Sequence, residues 1–298
     1  MNTATLENQP KNIAFDKIAN QMLDLMKKSN LPIWRAGYLT LRQRNYKSNR
    51  PYNGLNLVIL SLFSKYYNYT SEYWITFNQI VSEGGKLKKG SKGVQILYYF
   101  PINDKEIKER EEKRISDPSL KKVEPIVRPR TYTVFNLDCV ENINIIEREE
   151  QEKNTVEQIE KLILNHKSLP EIKHFLNAQP LYDITHDKIE MPLINQFINK
   201  DEYYSTLFHE LGHSTGAKNR LNRESLITSN MTKETYSFEE LIAEFTACFC
   251  VNQFNLKPDL EYSAAYLNGW FKYISEYPNN LVRAIQNASK ATNYILGE

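Results

Sequence analysis

The sequence predicts an α+β protein of two domains, an N-terminal mixed α/β unit followed by a helix-rich C-terminal one. Three observations carry this. Six of the ten glycines lie in residues 37–93 and none between 94 and 211, which puts the turns early and the long regular segments late. Residues 1–100 carry 14 Lys and Arg against 5 Asp and Glu, whereas the remaining 198 carry 24 against 31, so a basic unit precedes an acidic one. Between them, Glu147–Lys153 has six charged residues in seven, the composition of a linker. The boundaries predicted are 1–146 for the first domain, 147–156 for the linker and 157–298 for the second.

With 41% hydrophobic and 25% charged residues, the composition excludes disordered and fibrous classes. The first residues, Met1–Glu7, lack a basic stretch followed by an apolar one, and no apolar run nears the ~20 residues of a membrane span. A cytoplasmic protein with no membrane partner is the expectation. Cys139, Cys248 and Cys250 are too few and too oddly placed for a disulfide framework, which fits a reducing compartment.

In chain order, residues 13–28 place Ile13, Ile18, Met22, Leu23 and Met26 on one stripe and predict an amphipathic helix, ended by Asn30-Leu31-Pro32. Residues 34–51 read as a basic polar loop. Leu55–Tyr66 is apolar at helical spacing, Gly84–Gly93 is a basic glycine-rich turn, and Val94–Phe100 is a strand. Residues 101–130, dense in alternating charges and holding Pro118, Pro125 and Pro129, read as a solvated loop before a second strand at Thr131–Val140. After the linker a helical pattern opens at Val156. Ile184–Met191 reads as a strand closed by Pro192, and Tyr203–Thr215 as a helix with Gly216 as its stop. A further helix is predicted over Ser237–Asn252, and 262–295 is again helical in pattern.

The densest chemistry lies in Phe208-His209-Glu210-Leu211-Gly212-His213. Positions i and i+4 of a helix share a face, so His209 and His213 can reach one cation while Glu210 projects beside it as general base. A hydrolytic zinc site needs a third protein ligand and an open position. Glu240 and Glu244 sit i and i+4 on the next helix, and the division preferred is Glu240 on the metal with Glu244 bonding a ligand histidine. Ser237-Phe238-Glu239-Glu240 also fits a capping box, which would engage Glu240 at the helix start and transfer ligation to Glu244. Gly212 puts a small residue between the histidines where a second helix could approach. Tyr236 or Tyr182 could donate to an oxyanion. Zinc is the expected ion, with manganese or another divalent cation open to the same donors.

In the basic unit, Arg35, Arg42, Arg44 and Arg50 are interleaved with Trp34, Tyr46 and Tyr52, and Trp74, Lys86, Lys88, Lys89 and Lys92 follow. Cations that track phosphates and rings that stack on unpaired bases suit single-stranded DNA. Gly84–Gly93 is no phosphate-binding P-loop, since it lacks a GK[ST] ending before a helix.

Taken together, Pro32-Ile33-Trp34-Arg35, the stretch from Arg50 through Asn53 to Asn56, Tyr73-Trp74-Ile75-Thr76-Phe77, Gly84–Gly90 and Val134-Phe135-Asn136-Leu137 resemble the single-stranded-DNA-binding domain of ArdC-type antirestriction proteins. Asp187–Pro192, Tyr203–Gly216, Arg220–Arg223 and Glu239–Glu244 resemble the zincin-like metallopeptidase domain that follows it in that family. The resemblance implies a protein of a conjugative plasmid, integrative element or phage that enters or acts alongside transferred single-stranded DNA and shields it from host restriction. It adds Asn53 and Asn56 to the DNA-contacting set, and it implies a zincin that presents Ile189–Met191 as the edge strand beside the active-site helix. A protective protein whose metal site is structural or inactive, and a metalloprotease that recruits a protein partner or substrate through its basic domain, are the rival readings.

Overall fold

A computed structural model describes residues 18, 20–25, 43–101, 104–117, 127–143, 155–227, 232–257 and 278–297. Trp34, Arg35 and Arg42 lie outside these residues, as do 147–154 of the expected linker. Residues 20–25 are helical (α1), the described part of the first predicted helix.

The N-terminal unit is a four-stranded sheet covered by one apolar helix. Its strands are β1 (Arg44–Asn45), β2 (Tyr73–Thr76), β4 (Val94–Pro101) and β5 (Val127–Asn136), in the order β1-β2-β5-β4. β1 runs parallel to β2 and the other pairs are antiparallel. Helix α2 (Gly54–Tyr67) is buried without interruption from Leu57 to Ser64, as befits a helix apolar on nearly every side. It stops at Asn68, which turns left-handed at φ 54°; the Asn68 N–H donates back to the Lys65 carbonyl and the Tyr69 N–H to the Ser64 carbonyl. Short helix α3 (Phe77–Ser82) follows β2, capped by Thr76, and β3 (Lys86–Leu87) pairs with β6 (Val140–Glu141).

The segment expected to be a solvated loop at 101–130 is structured where it is described. β4 and β5 stay paired out to Pro101 opposite Val127, and helix α4 (Asp104–Ser116) lies between them. Its charges are spaced for a helix: Lys105 pairs with Glu109 and Arg114 with Glu111. Pro129 lies within β5 opposite Tyr99, in the stretch that β2, paired only with residues 134–136, does not reach.

The C-terminal unit comprises α5 (Thr155–Asn165), a sheet of β7 (Glu171–Phe175), β8 (Leu181–Asp183) and β9 (Lys188–Pro192), and helices α6 (Lys200–Ser214), α7 (Glu224–Ile227), α8 (Lys233–Gln253) and α9 (Pro278–Leu296). The predicted strand at 184–191 starts later, because Asp187 takes a left-handed φ of 49° and closes the β8–β9 turn. The sheet order is β7-β9-β8, so Ile189–Met191 is central, correcting the edge position expected for it. Ile189 and Met191 are fully buried, as a central strand under a helix requires.

α8 is the hub of the molecule. Phe238, Leu241, Ile242, Phe245 and Phe249 join a core made with α1, α2 and the N-terminal sheet, while Ala247, Cys250 and Val251 join a second core with α6 and β9. α9 lies against α2 as well, so closely that a Cβ on Gly54 would fall 2.5 Å from Ser289 Oγ. The two units therefore share one apolar interior rather than meeting through a linker alone. Among the described residues, no helix is long and apolar enough to cross a membrane.

Candidate metal centre

Helix α6 begins where the Asn199 side chain accepts the Glu202 N–H at 2.9 Å, and it carries both histidines in its last two turns. The i,i+4 spacing brings the imidazoles together, with Nε2 of His209 and Nε2 of His213 3.2 Å apart. Gly212 lets α8 cross here: a Cβ would stand 3.0 Å from the Ala243 Cα and 3.1 Å from the Thr246 Cβ. The crossing places Glu240 and Glu244, three residues before and one after Ala243, against the histidine pair.

α8 starts one turn earlier than its periodicity predicts. Thr232 caps it by accepting the Thr235 N–H, so the capping box at Ser237 does not form and Glu240 is free of the backbone. Its carboxylate reaches both rings, 3.6 Å from His209 Nε2 and 3.5 Å from His213 Nε2. One ligand atom from each of His209, His213 and Glu240 falls within 4.8 Å of the others. Glu244 instead faces His209 Nδ1 at 3.7 Å.

Residue Glu239 escapes sequence reasoning. It is only 2% exposed, and its carboxylate stands 3.8 Å from His213 Nδ1. The one available signal was its place beside Glu240, which reads equally well as a solvated face.

The electrostatics are those of a cation site. Burial pulls the His213 imidazole down, but the Glu239 and Glu240 carboxylates beside its two nitrogens outweigh this and push it up to about 10. His209 is raised through the same contest between burial and Glu240. Burial would raise both glutamates, yet the histidines hold Glu240 well below the usual range, and His213 with Arg223 brings Glu239 down to about 2. Two imidazole nitrogens facing each other and a carboxylate repel unless positive charge lies between them, so the donor set suits a divalent cation. Glu210 is buried on the same helix. Tyr236 lies one turn before Glu240 on α8. Its hydroxyl is pushed up to about 12 by burial, then by the charge of Glu240, to which it also hydrogen bonds, and by Glu210. Tyr182 belongs elsewhere: its hydroxyl donates to Asp187 at 2.8 Å beside Arg220, whose bidentate pair with Asp187 ties the β8–β9 turn to the end of α6. That pairing removes Tyr182 as an oxyanion donor.

The predicted DNA-contacting residues divide sharply. Arg50, Asn53, Lys86, Lys89 and Lys92 are exposed, and Lys88 is exposed while donating to the Asp138 carbonyl at 2.8 Å. Several others serve the fold. Trp74 is fully buried with its indole N–H on Gln43, so it cannot stack on a base. Asn56 donates to the Leu97 carbonyl at 2.7 Å and accepts the Leu97 N–H at 2.8 Å, filling the place of the strand neighbour that edge strand β4 lacks. Arg44 pairs with Glu72 at 3.4 Å, Tyr46 packs edge-on against Tyr73, and Tyr52 accepts from Asn45. The solvent-facing rings of this unit are instead Phe77, Tyr98 and Tyr132 among the described residues, with Tyr67 at its margin.

Comparison with known proteins yields matches over both units. Residues 12–135 match the N-terminal domain of anti-restriction factor ArdC, and residues 157–287 match the zincin-like metallopeptidase family. The Mn(II)-bound crystal structure of the antirestriction ArdC protein from the R388 plasmid superposes with a TM-score of 0.73 at 27% identity, covering 96% of this chain and 98% of that one. The metal-free structure of that protein gives 0.70 at 25% identity. A DNA primase TraC of Escherichia coli is 28% identical over 294 residues, covering 94% of this chain and 27% of that protein, and a second TraC is 27% identical over 301. This chain spans about a quarter and a fifth of their lengths. The uncharacterized protein y4eC of Sinorhizobium fredii (strain NBRC 101917 / NGR234) is 24% identical over 256 residues, 80% of its length.

Proposed function

We propose that this chain, which belongs to the ArdC-type antirestriction proteins, binds single-stranded DNA through its basic N-terminal unit and holds one divalent ion, zinc or manganese, between His209, His213 and Glu240. The convergence of these three donors, each imidazole backed by a carboxylate at Nδ1, is the observation that carries the reading. An ion bound there supplies Lewis acidity for hydrolysis of a carbonyl.

The residues around it divide the remaining work. Glu210, buried beside the histidines, accepts a proton from the attacking water and passes it to the leaving amine. Tyr236 donates its hydroxyl to the oxygen on which charge develops. Glu244 holds the His209 ring by its Nδ1–H. The substrate is a protein, met in the cytoplasm alongside entering DNA.

On the N-terminal side, Arg50, Lys86, Lys88, Lys89 and Lys92 follow the phosphates, with Asn53 beside them at the α2 start. Residues 1–146 then serve as the DNA-binding part, 157–298 as the peptidase part and 147–156 as their link. Relatives named DNA primase support a place beside single strands, which are what a primase copies.

Glu210→Gln separates an enzyme from a metal-stabilised protective protein. The variant is expected to retain the ion while losing hydrolysis of fluorescein-labelled casein, whereas His209→Ala loses both. Full hydrolysis by Glu210→Gln would remove the general-base assignment. Metal retention with no hydrolysis even in the unaltered protein would favour the protective role.

A further inference from the structure

We infer that Arg223 and Glu239 form a positioning pair that fixes the orientation and tautomer of His213, and thereby sets the affinity of the metal centre. The inference rests on the metal reading above, and it assigns a task to two residues outside the ligand set.

Glu239 adjoins Glu240 in sequence, yet the two carboxylates reach opposite nitrogens of the same ring. Glu240 is 3.5 Å from His213 Nε2 and Glu239 is 3.8 Å from Nδ1. A buried carboxylate is costly unless it is paired and hydrogen-bonded, so its partners indicate its use. Arg223 approaches it through Nε at 3.2 and 3.1 Å to the two oxygens and through Nη2 to Oε1, while the Ser225 hydroxyl donates to Oε2 at 2.6 Å. Arg223 is itself buried, and each of its nitrogens is engaged: Nη1 donates to Thr215 Oγ1 at 2.6 Å, and Nη2 to the Gly212 carbonyl at 2.8 Å and the His213 carbonyl at 3.3 Å.

Those two carbonyls lie in the last turn of α6, where carbonyls lack the N–H donors of a following helical turn and carry partial negative charge. Arg223 thus grips the backbone of His213 with one edge of its guanidinium and the carboxylate behind the His213 ring with another. Space for it is built in. A Cβ on Gly216 would stand 2.8 Å from Nη2, and Gly216 does not adopt the left-handed conformation of a helix stop, so what it provides is room. The loop from Thr215 to Arg223 is folded to deliver this side chain, with the Arg223 N–H on the Gly216 carbonyl and the Leu221 N–H on the Thr215 carbonyl.

Stability alone does not account for the pair, because well-packed apolar residues generally serve a buried position as well as an ion pair does. Its geometry does something apolar residues cannot: it presents an acceptor to Nδ1, so that Nε2 is the nitrogen turned toward the site as the donor to an ion. It also cancels one carboxylate charge of the four contributed by Glu210, Glu239, Glu240 and Glu244. Glu244 performs the corresponding act at His209.

The test uses the full chain, with Zn²⁺ affinity measured against a fluorescent chelator and the His213 ring nitrogens read by ¹⁵N–¹H spectroscopy in the metal-loaded protein. Glu239→Gln is expected to weaken Zn²⁺ binding about 10- to 100-fold and to shift the His213 Nδ1–H resonance. Arg223→Lys, which keeps a charge but loses the fork, is expected to bind more tightly than Arg223→Met. A purely structural pair predicts a lower melting temperature with affinity and resonance unmoved, and that result overturns the inference. If Glu239→Gln does not fold, Ser225→Ala decides, since it removes one hydrogen bond and leaves both ions: a few-fold loss with a shifted resonance supports the pair, and wild-type values sink it. An affinity that His209→Ala leaves unchanged defeats the metal reading itself. A His209-dependent affinity that survives Glu239→Gln defeats only the pairing.

Discussion

The helix crossing of α6 and α8 and the lysine-bearing turn around β3 hold their charges in opposite ways. At the crossing, the glutamates of α8 have partners at fixed distances: Glu240 between two rings, Glu244 and Glu239 behind them, Arg223 behind Glu239. At the turn, Lys86, Lys89 and Lys92 stand in solvent, while Tyr46, Tyr52 and Trp74, expected to work with them, are in the core or half-buried. The first arrangement suits one compact cation held by partly buried groups, which salt screens little. The second suits a long, flexible polyanion, whose binding would displace counterions and be screened by salt. Helix α8 connects the crossing to the N-terminal core, and the turn packs over a smaller cluster of Ile75, Ile80 and Leu137 beside Leu87.

That connection is the most demanding part of the comparison. Phe245 faces the N-terminal core from the same helix that carries Glu240, and it is fully buried. Phe245→Ala is expected to destabilise the protein by about 3–5 kcal/mol, with both units melting in one transition. Calorimetry resolving two transitions, only one of them shifted, would break the claim of a common core. A smaller effect is expected of Gly212→Ala, where the added methyl meets Ala243 and Thr246 and costs roughly 1–3 kcal/mol. Because it pushes Glu240 away from the rings, Zn²⁺ affinity should fall with stability; an unchanged affinity would mean that the helix approach does not set the site. The mildest change is the triple substitution of Lys86, Lys89 and Lys92 by Gln. It should leave melting and metal binding as they are, and lower the salt dependence of oligonucleotide binding by about 0.7 in log–log slope per lost phosphate contact. A salt slope equal to that of the unaltered chain moves the DNA path elsewhere, with Tyr98 and Tyr132 the next surface to probe.

How much of this was readable from sequence follows the same contrast. Helical spacing fixes which side chains share a face, so the convergence of His209, His213 and an acidic helix was legible. The division of labour among the glutamates was not. Ser237 offered a start for α8 that Thr232, one turn upstream, takes instead, and the partner that gives Glu239 its role sits 16 residues earlier in an aperiodic loop. In the basic unit, composition reports charge but not orientation. Trp74 and Asn56 look the same in sequence whether they face a base or a strand edge, and only the sheet decides. The charge-rich segment at 104–116 read as loop because its prolines lie close after it, although its ion pairs are spaced for a helix.

Calorimetric titration of Zn²⁺ into the metal-stripped full chain tests the central claim most directly. The account predicts one ion per chain, bound in a manner abolished by His209→Ala and by Glu240→Ala, and weakened but retained in Glu244→Gln. Binding that both substitutions leave intact, or tight binding lost on replacing Glu244 and not Glu240, would contradict it.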